Sequence, residues 1–163
     1  MLGQILAHTP TWVFALFAAL VALGLSQMRT REVPLARAAI LPLVMVALSL
    51  AGTLNAFPGS LWALASWATA LSITTSLLCM KPMASGTALH PNSKRFTLPG
   101  SAVPLALMMG TFFTQYAVGA SLGMHAELAQ LPAFAIGASA TYGLFSGAFL
   151  SRGLRLWRVS RAV

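Results

Sequence analysis

Residues 95–119, RFTLPGSAVPLALMMGTFFTQYAVG, predict a membrane-spanning helix whose first turn is specified by the sequence. Pro99 and Gly100 form a turn, Ser101 can cap the helix that follows, and Pro104 falls in the first helical turn, where a missing N–H costs least. The apolar run after this turn has the length of about 20 residues that crosses the hydrocarbon core of a bilayer. We therefore expect a transmembrane helix with a defined start.

The composition of the whole chain agrees with that interpretation. Of its 163 residues, 58% are hydrophobic and 7% are charged, whereas soluble domains carry roughly a quarter charged residues. An integral membrane protein is therefore expected. The formal net charge of +8 favours anionic lipid headgroups over nucleic acid as the partner, because no polar segment is long enough to form a soluble nucleic-acid-binding domain.

Five apolar runs of membrane-spanning length divide the chain. We predict one all-α transmembrane domain, residues 1–163, with an irregular inner loop at 81–98 and a basic cytoplasmic tail at 152–163. The five predicted helices cover about residues 10–26, 38–56, 61–80, 102–122 and 132–151.

Two connections carry local detail. The turn 57–60, Phe-Pro-Gly-Ser, joins the second and third helices into an antiparallel hairpin, with Ser60 as the cap of the third. Arg152, Arg155 and Arg158 recur every three residues in the tail, a spacing that suits a helix continuing into the headgroup layer. A tail that docks on nucleic acid or protein is the alternative.

All Lys and Arg residues lie on one side of this five-helix arrangement. They are Arg29, Arg31, Arg37, Lys81, Lys94, Arg95, Arg152, Arg155, Arg158 and Arg161. The positive-inside rule then places the N-terminus outside and the C-terminus in the cytoplasm. Contacts to lipid headgroups are expected from Arg29, Arg31, Arg37, Lys94, Arg95, Arg152, Arg155 and Arg158.

Weakly polar side chains within the predicted spans are candidates to line a cavity for a small or lipid-like ligand. At about 100° per residue, the third helix places its hydroxyl groups within a third of its circumference. The candidate cavity residues are Asn55, Ser66, Thr69, Ser72, Ser76, Thr111, Gln115, Tyr116 and Tyr142. Gln115 is the strongest single candidate, because its amide both donates and accepts hydrogen bonds and needs a partner away from water. Packing between helices is the alternative role for these side chains.

Small residues recur at four-residue spacing on the fourth and fifth helices, which lets helix backbones approach closely in a bilayer. The predicted packing positions are Ala102, Ala106 and Gly110 on the fourth helix and Ser139, Gly143 and Gly147 on the fifth. The fifth-helix stripe is also a candidate for self-association, so a homo-oligomer or a membrane protein partner is considered.

Residues that commonly carry out chemistry in membrane proteins are scarce in the predicted spans. No Lys, Asp or Glu lies within one. His8 and His125 lie on the outer side, where solvation is preferred over a surface metal site. Cys79 is the single cysteine, which excludes an intramolecular disulfide and favours a packed thiol. We predict no catalytic residue, no metal site and no cofactor.

Three stretches carry a family resemblance. They are LAHTPTWVFALFAALVALGLSQ (6–27), VPLARAAILPLVMVALSL (33–50) and residues 95–119, whose most specific part is Pro-Gly-Ser at 99–101 followed by Pro-Leu at 104–105. They resemble a bacterial family of small multi-helix inner-membrane proteins of unknown function, and the chain is distantly similar to CcdC-like proteins, found near cytochrome c biogenesis genes. The resemblance implies a location in the bacterial inner (plasma) membrane. A basic residue often precedes the tyrosine of the fourth helix in that family, whereas this chain has Gln115 there, which argues against a charge-based role.

We therefore expect a multi-pass inner-membrane protein that is not an enzyme and that binds a small hydrophobic or lipid-like ligand or a membrane partner. A small transporter or channel subunit is the first alternative. A membrane enzyme or an assembly factor is the second.

Overall fold

The structure is a computed structural model in which residues 11–81, 88–90 and 95–161 are described. It is a helical bundle with a small sheet at one end. The helices are α1 (Thr11–Ser26), α2 (Leu35–Ala56), α3 (Leu61–Cys79), α4 (Val103–Met124) and α5 (Pro132–Arg161). The strands are β1 (Arg31–Pro34), β2 (Ala88–His90) and β3 (Arg95–Leu98), and a 3-10 helix, Ala126–Gln130, joins α4 to α5.

The helices lie where the apolar runs predict them. α3, α4 and residues Pro132–Val159 of α5 are each long and apolar enough to cross a membrane, whereas the apolar segments Val13–Ser26 of α1 and Ile40–Ala56 of α2 are shorter. α5 continues as one helix through the basic tail to Arg161. The prediction that the tail is a helical continuation is therefore confirmed.

Two helix starts follow from local sequence. Ser60 accepts a hydrogen bond from a backbone N–H in the first turn of α3 at 3.3 Å, and so caps that helix. Gly59, just before it, has a φ of 75°, a left-handed conformation that glycine adopts without a Cβ penalty. Ser101 accepts a hydrogen bond from the N–H of Val103 at 3.2 Å, and Pro104 lies in the first turn of α4. The predicted Ser60 cap of α3 and the place of Pro104 in the first turn of α4 are confirmed, whereas the N-cap of α4 is Ala102 and not Ser101.

α5 is the centre of the bundle. It contacts α3 along much of both helices and also packs against α2 and α4, whereas α2 and α3 contact each other over few residues. The turn at 57–60 does join α2 to α3 as predicted, but α5 supplies most of the packing for both. α1 packs mainly against α4, where the ring of Phe17 lies 5.3 Å from that of Phe112.

Pairs of contacting residues give the relative direction of the helices. Residue numbers rise together for α3 and α5, so these two helices are parallel, and they run in opposite senses for α2 with α5, α1 with α4 and α4 with α5. The pairs are Trp67 with Gly143 and Cys79 with Ser151 (α3, α5), Pro42 with Gly153 and Ser49 with Tyr142 (α2, α5), Phe17 with Phe112 and Gly24 with Leu105 (α1, α4), and Met108 with Phe149 and Val118 with Ala135 (α4, α5). Successive helices therefore alternate in direction along the chain.

The sheet differs from the sequence prediction. An irregular loop is predicted at 81–98, and this is wrong for 88–90 and 95–98, which form β2 and β3. β3 is the central strand of an antiparallel sheet in the order β1-β3-β2. Thr97 of β3 pairs with Glu32 on one side and with Ala88 on the other. Strands of three or four residues are too short for an alternating hydrophobic pattern to stand out in the sequence.

Candidate functional site

α5 meets the backbone of α3 at two glycines. A Cβ at Gly143 would clash with the carbonyl oxygen of Trp67, and one at Gly147 would lie 2.7 Å from the carbonyl oxygen of Leu71. Thr75 Oγ1 donates a hydrogen bond to the carbonyl oxygen of Gly147 at 3.3 Å. Glycine at these positions lets the two helices approach closely, and the hydroxyl group adds a bond between them.

An apolar groove of about 520 Å³ runs beside this contact on the surface of the bundle. Its lining includes Trp62, Ala65, Ser66, Thr69 and Ile73 from α3 and Ile136 and Leu144 from α5. Trp62 is 69% exposed and Ile73 is 54% exposed, so the groove opens to the surroundings of the bundle and not into its core. Ser66 Oγ donates a hydrogen bond at 2.9 Å to a carbonyl oxygen of its own helix. The groove thus offers a largely hydrocarbon surface with two hydroxyl groups.

A chain of hydrogen bonds links three helices in the core. Trp67 Nε1 of α3 donates to Ser49 Oγ of α2 at 2.7 Å, and Ser49 Oγ donates to the carbonyl oxygen of Tyr142 of α5 at 3.2 Å. Ser49 is fully buried. Trp67 and Ser49 are not among the site residues predicted from the sequence. The usable signal was an indole N–H within an apolar span, because that group needs an acceptor where water is absent.

A family model provides the identification. The model for a family of unknown function (DUF6622) matches residues 1–163. The chain belongs to the DUF6622 family. No curated protein and no solved structure matches it. The family resemblance predicted from the sequence is therefore confirmed to the extent that a family of unknown function covers the whole chain.

The α3–α5 groove of this DUF6622 protein includes two of the predicted cavity residues. Ser66 and Thr69 line the groove together. Ser72 and Ser76 lie on exposed parts of α3, and Asn55 is exposed near the end of α2. The α3 candidates therefore divide between the groove and the open surface.

The remaining cavity candidates lie away from the groove. Thr111 is buried and its hydroxyl donates at 2.9 Å to a carbonyl oxygen one turn earlier in α4. The Gln115 side chain packs against Gly52 of α2. Tyr116 stacks on a phenylalanine of its own helix with ring centroids 6.3 Å apart. Tyr142 is 2% exposed in a core cluster. Thr111 and Tyr142 are buried in the bundle, Gln115 lies against α2, and none of the four lines the groove.

The two predicted small-residue stripes differ in their surroundings. On α4, Ala102 and Ala106 are exposed, while Gly110 lies under the ring of Phe145 of α5. On α5, Gly143 and Gly147 are covered by α3 of the same chain, and the fully buried Ser139 Oγ has no hydrogen-bond partner among the described residues. Gly143 and Gly147 thus pack within the chain, and self-association through this stripe stays a prediction.

The end of the bundle that carries the sheet is strongly basic. Arg31 of β1 lies at this end, as do Arg152 and Arg155 of α5. All three are half-buried, whereas Arg29 and Arg158 are exposed. Among the other predicted headgroup residues, Lys94 and the side chains of Arg37 and Arg95 lie outside the described part of the chain.

The opposite end carries one polar pair. His125 Nδ1 lies 3.2 Å from Glu127 Oε1, and both side chains are exposed. A backbone hydrogen bond, and secondarily the contact with His125, hold the pKa of Glu127 below its usual value. His8 lies outside the described residues. Within residues 11–81, 88–90 and 95–161, no three His, Cys, Asp or Glu side chains are grouped as metal ligands would be, and Cys79 is a half-buried thiol near the carbonyl oxygen of Ser151.

Proposed function

We propose that this protein is a multi-pass protein of the bacterial inner membrane that holds a lipid-like hydrophobic ligand in the α3–α5 groove and catalyses no reaction on it. The groove is the observation that carries this proposal. Its volume of about 520 Å³ lies within the range of roughly 300–1,000 Å³ found for small-molecule sites.

The chemistry of the groove favours a hydrocarbon chain as the occupant. α3 and most of α5 are apolar enough to cross a membrane, so a groove between them would open to the bilayer interior. Polar or charged ligands would lose their hydration there, with only the Ser66 and Thr69 hydroxyl groups as compensation. An acyl or isoprenoid chain loses no hydrogen bonds in the same place.

The proposed membrane placement has five spans, with the N-terminus outside and the C-terminus in the cytoplasm. Two observations support it. Successive helices alternate in direction, as repeated crossings of one layer require. The sheet and the arginines of α5 share one end, which the positive-inside rule assigns to the cytoplasm. Distant similarity to CcdC-like proteins is part of the same proposal and adds no activity to it.

Native mass spectrometry of the gently extracted protein tests the groove. Ala65→Leu would fill part of the groove, while Ala68→Leu adds the same atoms at an exposed α3 position outside its lining. We expect the wild type and Ala68→Leu to retain a hydrophobic adduct of the same mass, and Ala65→Leu to lose most of it. Equal adducts in all three proteins would rule out this groove as the site, and a bare wild-type protein would rule out a retained ligand.

A further inference from the structure

We propose, resting on the function proposed above, that the α3–α5 groove takes up one hydrocarbon chain of a lipid whose polar head is uncharged and carries hydroxyl groups. The head lies at Trp62 and the end of the chain at Ile73. The groove then selects its ligand by the charge of the head and by the direction in which the chain enters.

The groove has the length of one leaflet of a bilayer. Its α3 lining extends from Trp62 to Ile73, about 16 Å along the helix axis at 1.5 Å per residue. The whole of α3, Leu61–Cys79, is roughly 28 Å long on the same rise, close to the ~30 Å hydrocarbon core of a bilayer. With α3 across the membrane, the groove begins beside the turn at 57–60 and stops near the bilayer midplane. A chain from the leaflet on that side fits along it.

Polar groups of the α3 lining lie toward one end of the groove. Trp62 is 69% exposed at this end, and its indole N–H is a hydrogen-bond donor. The hydroxyl groups of Ser66 and Thr69 follow one and two turns further along α3, and beyond them the α3 lining consists of Ala70 and Ile73. A lipid head therefore meets donors and acceptors at the Trp62 end, and the end of its chain meets hydrocarbon.

Ser66 presents an acceptor to the groove. Its Oγ donates a hydrogen bond to the carbonyl oxygen of Ala63 at 2.9 Å, which uses its single O–H and leaves its lone pairs as acceptors. A ligand group that donates, such as a lipid hydroxyl, therefore complements Ser66. The indole N–H of Trp62 complements a ligand oxygen. A head with hydroxyl groups satisfies both side chains, whereas a carboxylate or a phosphate without an O–H supplies acceptors only.

The charges around the Trp62 end disfavour an anionic head. The described residues at this end of the bundle are the start of α1 at Thr11, the turn at 57–60 and residues 124–132, and none of them is Lys or Arg. The acidic residue Glu127 lies there, in the 3-10 helix that precedes α5. Basic side chains are what attract anionic lipids to a protein surface. An anionic head would therefore lose hydration beside the groove without an opposite charge to offset that loss.

The test is a titration of the full-length protein by native mass spectrometry with two probes of equal chain length, monopalmitoylglycerol and palmitoyl-lysophosphatidylglycerol. Both heads carry hydroxyl groups, and the second adds a phosphate charge. The wild type should bind the uncharged probe several-fold more tightly. Ser66→Ala should weaken that binding about fivefold, the worth of roughly one hydrogen bond. Ser72→Ala is the matched control, at an exposed α3 position outside the lining, and should bind as the wild type does.

Photo-crosslinking tests the direction of the chain. A diazirine at the chain terminus of monopalmitoylglycerol should label peptides around Ile73 and Leu144, and a diazirine next to the head should label peptides around Trp62 and Ile136. These two pairs lie at opposite ends of the lining. The reverse labelling pattern would overturn the proposed direction.

The outcomes separate this proposal from the groove itself. If Ala65→Leu lowers binding of both probes while the wild type binds them equally, the groove holds a ligand but does not select an uncharged head. Unchanged binding in Ser66→Ala would remove the hydroxyl contact. If Ala65→Leu leaves the binding of both probes unchanged, the groove is not the site, and the proposed function fails with it. Binding of neither probe by the wild type would overturn the assignment of this lipid class. Circular dichroism of each variant checks that its helices are intact.

Discussion

At the scale of single residues, the α3–α5 contact depends on the absence of side chains. Gly143→Ala should lower the free energy of unfolding by about 1–3 kcal/mol, the usual cost of an added methyl group in a packed site. The reason is that its Cβ would clash with the backbone carbonyl oxygen of Trp67, which cannot rotate away as a side chain can. Unfolding in a mixed-detergent titration, followed by circular dichroism, measures the change.

The control for this substitution lies on the same helix. A Cβ at Gly137 has nothing within 4 Å, so Gly137→Ala should be neutral or stabilising by up to about 1 kcal/mol through helix propensity. If both variants lose stability equally, the effect is not due to the contact with α3. If Gly143→Ala is as stable as the wild type, the two helices do not make the close contact at Gly143.

The sequence identifies which residues are polar within a helix, but not which neighbour each of them faces. Ser66 and Ser76 belong to one predicted stripe, yet Ser66 lines the groove and Ser76 is on the open surface. Trp67 donates to Ser49 across a helix boundary. Helices in this chain are apolar on nearly every side, so no hydrophobic face fixes their rotation in advance. The groove follows from that rotation, and sequence spacing alone does not determine it.

At the scale of elements, the helices could be predicted and the sheet could not. The length of each apolar run limits where a helix can lie, and local signals such as Ser60 and Pro104 mark where it starts. β1 and β3 pair across more than 60 residues of sequence, with Arg31 opposite Leu98. Nothing in REVP or RFTL indicates that partner. The central position of α5 also depends on packing choices between helices that are similar in composition.

Pairing of the three strands should depend on the backbone hydrogen bonds of the central strand, β3. Thr97→Pro removes a backbone N–H from β3 and is expected to disrupt pairing with β1 and β2. Hydrogen exchange at 31–34 and 88–90 should then become faster, while exchange in α3 changes little. Thr97→Val keeps the N–H and a β-branched side chain, so its exchange should match the wild type. Protection at 31–34 that survives Thr97→Pro would contradict the β1–β3 pairing.

At the scale of the whole molecule, the fold brings basic residues that are distant in the sequence to one end of the bundle. The alternating helix directions bring the sheet and the C-terminal part of α5 to one end and the turn at 57–60 and Glu127 to the other. The end with the sheet carries Arg29, Arg31, Lys81, Arg152 and Arg155. A protein with this asymmetry has an electrostatic reason to enter the membrane in a single orientation.

The number of spans can be tested at two positions, because the five-span and three-span arrangements place them differently. α3, α4 and α5 meet the length criterion for crossing a membrane. If only these three cross, Thr30, which precedes α2, lies on the same side as Ala126 between α4 and α5. If α2 also crosses, the two residues lie on opposite sides. Both residues are exposed, so a cysteine at either one is accessible to a labelling reagent.

We expect a membrane-impermeant maleimide to label Ala126→Cys in intact spheroplasts, and Thr30→Cys only after lysis, each in a Cys79→Ser background. That result requires α2 to cross the bilayer and places the basic end in the cytoplasm. Labelling of both positions before lysis would mean that α2 does not cross. The reverse pattern would keep the α2 crossing but invert the orientation, which would place the basic end of the bundle outside, against the positive-inside rule.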